Sequence, residues 1–147
     1  LFFKYSKKVI IIKGNHDVSL APIARKREIK LVEYLKIDNF LICHGDEILT
    51  NEDFRTATTV IIGHEHPAVR LREKNKQETY KCFLKGTFRK KILIVLPSFN
   101  LITIGTDILK EKLLSPFLHQ NLGKFEVYIA YAKTYYFGTV EKLVKLQ

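Results

Sequence analysis

Apolar and polar positions follow two distinct patterns along this chain. Residues 9–13, 40–43, 59–62 and 92–96 are unbroken apolar or β-branched runs, and most of them stop at a glycine or proline: Gly14, Gly63 and Pro97. Short apolar runs bounded in this way predict strands buried on both faces. Elsewhere the period is two. Val69 and Leu71 alternate with Arg70, Arg72 and Lys74; beyond a polar turn at 74–77, Tyr80, Cys82 and Leu84 alternate with Lys81 and Lys85. That pattern predicts a β-hairpin with one basic face. Residues 23–37 fit either period: a strand puts Ile29, Leu31, Leu35 and Ile37 on one face, whereas a helix groups Leu31 with Leu35. The turn signal Asp38-Asn39 favours a hairpin over 31–43.

Thr50 or Asn51 can cap a short helix over 53–57. Residues 125–131 and 134–137 read as a terminal pair of strands, and 140–146 as a last helix. Strands dominate, and no repeat or linker divides the chain, so residues 1–147 are expected to form one domain.

Composition narrows the class. Hydrophobic residues make up 46% of the chain, which suits a globular domain rather than a disordered one. No apolar stretch approaches the roughly 20 residues of a membrane helix, and the run at 9–12 is too short for a signal peptide. A cytoplasmic location with no membrane partner is therefore expected. Cys43 and Cys82 match no metal-binding spacing and read as buried thiols in a reducing compartment. Net charge is +10, from 25 Lys+Arg against 15 Asp+Glu, which suits a polyanionic partner such as nucleic acid or an anionic membrane surface, and equally a lysine-rich proteome.

The chemistry-bearing residues cluster where apolar runs end. They are Gly14-Asn15-His16-Asp17, His44-Gly45-Asp46-Glu47 and Gly63-His64-Glu65-His66-Pro67, and they hold four of the five histidines. Glycine lets backbone turn sharply and approach a ligand closely, and loops at strand ends hold ligands at fixed separations on a rigid sheet. Each cluster alone fits an ordinary turn. Together, imidazoles with an amide oxygen suit Mn²⁺, Fe, Zn²⁺ or Ni²⁺. Two such ions about 3.5–4 Å apart can clamp a phosphate and acidify a water.

These three clusters resemble the later motifs of the calcineurin-like metallophosphoesterase family: Gly-Asn-His-(Asp/Glu), then His, then Gly-His-x-His. The wider chain is similar to a prokaryotic branch of that family, often encoded near DNA ligase or helicase genes. The segments that carry this likeness are Leu96-Pro97-Ser98-Phe99-Asn100, Gly105-Thr106-Asp107 and Leu114-Ser115-Pro116-Phe117-Leu118. The resemblance implies an α/β (α+β) fold, a two-sheet sandwich flanked by helices. It also implies metal-dependent hydrolysis of phosphoesters, phosphodiesters foremost, with nuclease action as one form. Asn15, His44 and His64 would then ligate one metal and His66 the other, with Mn²⁺ the foremost choice. His16 would contact the phosphoryl oxygens or protonate the leaving oxygen, and Asp17 would hydrogen-bond His16.

The family's earlier motifs, Asp-x-His and Gly-Asp-x-x-(Asp/Asn), are not found, and none of residues 1–13 is Asp, Glu or His. The chain also begins at Leu1 and contains no methionine. It is therefore expected to be the C-terminal portion of the domain, inactive alone, with sheet edges that favour self-association. The alternatives are a non-catalytic remnant and a basic nucleic-acid-binding module. Asp46 and Glu47 are expected to shape their loop, and His119 to be a packing or surface residue. Arg70, Arg72, Lys74 and Lys81 are expected to form a solvated basic face. Tyr135, Tyr136 and Phe137 are expected to pack within their strand.

Overall fold

A computed structural model describes residues 9–17, 19–73 and 76–146. Among the described residues the fold is mixed α/β, mostly sheet, with three short α-helices. It begins with β1 (Ile10–Ile12), α1 (Leu20–Lys26) and β2 (Lys30–Val32), and β1 and β2 form a small parallel ladder of their own. The hairpin β3 (Tyr34–Ile37) and β4 (Phe40–Cys43) follows, then α2 (Glu52–Thr56) and β5 (Thr59–Ile62). Next come β6 (Pro67–Glu73), β7 (Lys76–Phe88), β8 (Lys91–Val95) and β9 (Thr106–Asp107). A 3₁₀ turn at Pro116–Leu118, β10 (Glu126–Ala130), β11 (Thr134–Thr139) and α3 (Val140–Lys145) complete it.

The main sheet runs β11-β10-β7-β8-β5-β4-β3. Its centre is parallel across β4, β5 and β8, and antiparallel from β8 through β7 to β10. β7 is 13 residues long: its first half pairs with β6 and its second half with β8 and β10. β6 in turn pairs with β9.

The apolar runs form the centre because strands covered on both faces need side chains that gain from leaving water. Val60, Ile62, Leu84, Leu93, Val95 and Val127 are fully buried. Phe117 packs on Phe88 at 4.9 Å and on Phe54 of α2 at 6.3 Å between ring centroids, closing one side of the core. Asn51 caps α2, accepting the Phe54 N–H at 2.9 Å.

The hairpin expected over 31–43 begins at Tyr34, and residues 30–32 leave it to pair with β1. Within the ambiguous stretch, residues 20–26 are helical. Lys74 lies outside the described residues. Among the described residues no helix is long and apolar enough to cross a membrane.

Candidate functional site

The three glycine-histidine loops meet at the ends of β1, β4 and β5. Because β4 and β5 are parallel neighbours, the loops after them emerge on the same edge. The Gly63 N–H then donates to the His44 carbonyl at 2.9 Å, tying the two loops together. Gly45 turns with φ of +101°, and a Cβ there would meet the Ile62 Cβ at 2.7 Å. No other residue type meets both demands without strain. The loop after β1 approaches more closely still. A Cβ on Gly14 would lie 2.9 Å from His44 Cε1, so glycine lets this backbone press against the imidazole.

His44 Nε2 sits 3.1 Å from Asn15 Oδ1 and 3.0 Å from His64 Nδ1, and the two imidazoles meet edge to face at 4.8 Å. Three donor atoms from three separate loops thus converge. Burial, and then the neighbouring His64, lower the pKa of His44 below the ordinary histidine value. Burial also lowers that of His66, helped by His64 and Lys81. Both shifts favour the neutral ring, the form that offers a lone pair.

His66 holds a left-handed backbone, φ +51°, an uncommon conformation for a non-glycine residue. Its carbonyl accepts the Thr106 N–H at 3.0 Å, which joins the loop to β9. His16 is exposed. Asp17 does not pair with it as expected: Asp17 Oδ2 accepts the Gly14 N–H at 2.9 Å and closes the loop on itself. Asp46 and Glu47 are exposed, and a cleft of about 410 Å³ opens beside Asn15 and His44, bordered by both carboxylates and by Glu33.

The converging donors can be tested against a metal. Ligands about 2.1 Å from a six-coordinate ion stand about 3.0 Å apart across an octahedral edge. The two distances at His44 Nε2 match that spacing, so Asn15 and His64 each stand where a ligand next to His44 on one ion would. The same distances also satisfy hydrogen bonds between these groups without an ion. Among the described residues no group of three or more His, Cys, Asp or Glu side chains is placed to hold a metal, so His66 does not complete a set with His44 and His64, and a site here depends on Asn15 as a donor.

Glu65 lies between two histidines in sequence, yet it is only 1% exposed and faces away from solvent. Its Oε2 accepts the backbone N–H groups of Leu114 and Ser115, both at 2.8 Å. Ser115 Oγ donates to the Gly45 carbonyl at 2.7 Å. A segment fifty residues downstream therefore clamps two of the histidine loops. Lys81 holds a further segment, donating to the carbonyls of Ser98 (3.0 Å) and Asn100. Neither role had a signal in the sequence beyond the position of Glu65 inside the motif. His119 is a surface residue whose Nε2 meets the Leu113 carbonyl at 3.0 Å.

No family model, curated protein or solved structure matches this chain.

Proposed function

We propose that the three loops form one metal-facing half of a phosphoesterase site that hydrolyses phosphoesters, phosphodiesters foremost. The observation that carries this reading is the convergence of Asn15 Oδ1, His44 Nε2 and His64 Nδ1 at 3.0–3.1 Å from three strand ends. Asn15, His44 and His64 would hold one divalent ion, Mn²⁺ foremost, with Fe, Zn²⁺ or Ni²⁺ as alternatives. When bound, such an ion polarises phosphoryl oxygens and acidifies a coordinated water.

The chain's own residues do the rest. The Gly14 backbone and the Gly63 N–H hold His44 in register with His64. His66, beside them on a constrained backbone, is available to a second ion whose remaining donors these residues do not supply. His16, exposed on its loop, can meet the phosphoryl oxygens or give a proton to the leaving oxygen. The fold that accompanies this reading is the C-terminal portion of a two-sheet sandwich, supported by the way β7 runs from the main sheet into the β6–β9 ladder. Cys43 and Cys82 are free and buried, consistent with a reducing, cytoplasmic setting.

A second reading rests on the donor set itself. Asn15, His44 and His64 are all neutral, and two dications held by neutral ligands repel each other without compensation. On this reading the chain binds without catalysing. Titration with Mn²⁺, followed by calorimetry and by electron paramagnetic resonance, tests both. The phosphoesterase reading expects binding that weakens at least about tenfold in His64→Ala and His44→Ala. Unchanged binding in both variants removes the site. Two ions per chain with turnover of an aryl phosphodiester rule out the second reading; one ion without turnover supports it.

A further inference from the structure

A second concavity lies away from the histidines. A groove of about 900 Å³ runs between the β6–β7 hairpin, β11 and α3. Tyr80, Tyr131, Tyr135, Tyr136 and Phe137 line it; Arg72 and Lys76 stand beside them, as does Glu78, whose carboxylate accepts the Tyr80 hydroxyl. The aromatic run expected to pack within β11 instead faces water: Tyr135 is 51% exposed, Tyr136 57% and Phe137 42%, and Tyr131, just before the strand, is 81% exposed. Two features account for this. β11 is the terminal strand of the sheet, paired only with β10 among the described residues. Its register also shifts opposite 126–128, where Gly138 takes φ of +97°. A bulge of this kind re-aims side chains next to it. Tyr136 packs beside Tyr128, its partner across the strand pair, at 5.3 Å between ring centroids. Among the described side chains Arg72 and Lys76 form no ion pair, and the chain as a whole carries +10.

We propose that this groove binds single-stranded nucleic acid. Exposed aromatic rings offer faces on which unpaired bases stack, and the adjacent cations Arg72 and Lys76 follow the phosphates; that combination binds single strands with little sequence preference. A duplex keeps its base faces stacked on each other and can use the cations alone. Two other occupants fit less well. A second copy would bring another +10 against the first. An extended peptide adding to the edge of β11 would meet the bulge, a feature that blunts strand edges.

The site is independent of the proposed metal-binding loops. Arg72 lies six residues beyond His66 along β6, about 20 Å at roughly 3.3 Å per residue. Binding here should therefore survive chelation and the His64→Ala substitution.

The test is fluorescence anisotropy with a labelled oligothymidylate and a duplex of equal length, in EDTA. The single strand should bind more tightly than the duplex. The pair Tyr135→Ala and Tyr136→Ala should weaken the single strand at least about fivefold, while Tyr135→Phe and Tyr136→Phe, which keep the rings, should retain binding. Removing Arg72 and Lys76 together should reduce the logarithmic salt slope by about 1.4, the share of two phosphate contacts. Circular dichroism checks that each variant is folded. Equal affinity in the wild type and the tyrosine-to-alanine pair overturns the proposal. So does loss of binding in His64→Ala, which would place the nucleic acid at the histidine loops. A sedimenting dimer that the tyrosine-to-alanine pair dissociates would assign the groove to a second copy instead.

Discussion

β5 and β1 are both short apolar, β-branched runs that lead to a glycine and then to candidate site residues. β5 pairs on both edges, with β4 and β8, and Thr59, Val60 and Ile62 are buried. β1 pairs only with β2 among the described residues, and Ile10, Ile11 and Ile12 are all half-buried. Both runs are β-branched throughout, Thr-Val-Ile-Ile in β5 and Ile-Ile-Ile in β1; neighbours differ. The hydrophobic effect rewards area removed from water, so a comparable run contributes less where fewer surfaces cover it. Two of the three converging donors, His44 and His64, thus stand on the firm centre of the sheet. Asn15 is carried by the looser ladder and meets them only through its loop.

The largest effect that can break this comparison is a cavity. Leu93 on β8 is fully buried, and Leu93→Ala should cost about 2–5 kcal/mol in urea unfolding. Ile11→Ala on β1 should cost less than about 1.5 kcal/mol, because a half-exposed site leaves no sealed void. Similar losses would show that β1 is as well covered as the sheet centre.

The clamp on the histidine loops comes next. Glu65→Ala leaves the N–H groups of Leu114 and Ser115 without their acceptor, a loss of about 1–3 kcal/mol if no water replaces it. Glu65→Gln keeps one acceptor oxygen and should recover part of that. If Glu65→Ala melts like the wild type, the 113–115 segment does not secure the central loops, and their firmness comes from the sheet alone.

Thiols report on the centre only, since Cys43 lies on β4 and Cys82 on β7. Burial pushes both up to about 12, with Asp107 adding to Cys82 and with Asp46 and Glu47 adding to Cys43. Unfolded cysteine ionises near 8.5, so between about pH 8.5 and 12 the unfolded chain loses protons that the fold retains. Stability is therefore fully present below about pH 8.5 and declines above it, by at most about 1.4 kcal/mol per pH unit for each thiol. Alkylation at pH 8.5 should be slow in native protein and fast in urea. Rapid native labelling would mean that the centre opens as easily as a peripheral ladder.

How much was legible follows the same division. Strands β4, β5 and β8 could be read because an apolar run between turn residues has few alternatives at a sheet centre. The meeting of Asn15, His44 and His64 was legible only as three motifs; nothing in their spacing places Asn15 Oδ1 on His44 Nε2. α1 escaped because Ser19 makes no side-chain cap and only Ala24 of the helix is buried, so its apolar period is weak. The role of Glu65 depends on backbone fifty residues away, which no local pattern encodes. The exposure of Tyr135 and Tyr136 turned on β11 being a terminal strand with a bulge at Gly138. Aromatic content alone suggested packing, because it says nothing of how many neighbours a strand acquires.

The smallest effect concerns the loop that brings Asn15 to His44. Its one carboxylate bond, Gly14 N–H to Asp17 Oδ2 at 2.9 Å, is part-buried. Asp17→Ala should therefore cost about 0.5–1.5 kcal/mol, the range of a single hydrogen bond that water can replace. Asp17→Asn keeps an acceptor and should lie closer to the wild type. The informative quantity is the ratio of this cost to that of Glu65→Ala. A small ratio means the β1 loop is held by a local bond and by contact between Gly14 and His44, so Asn15 can shift while His44 and His64 stay in place. Mn²⁺ binding would then weaken in Asp17→Ala while the melting temperature barely moves. If Asp17→Ala instead unfolds the protein as readily as Leu93→Ala, the loop is part of the cooperative core and the contrast between the two ladders fails.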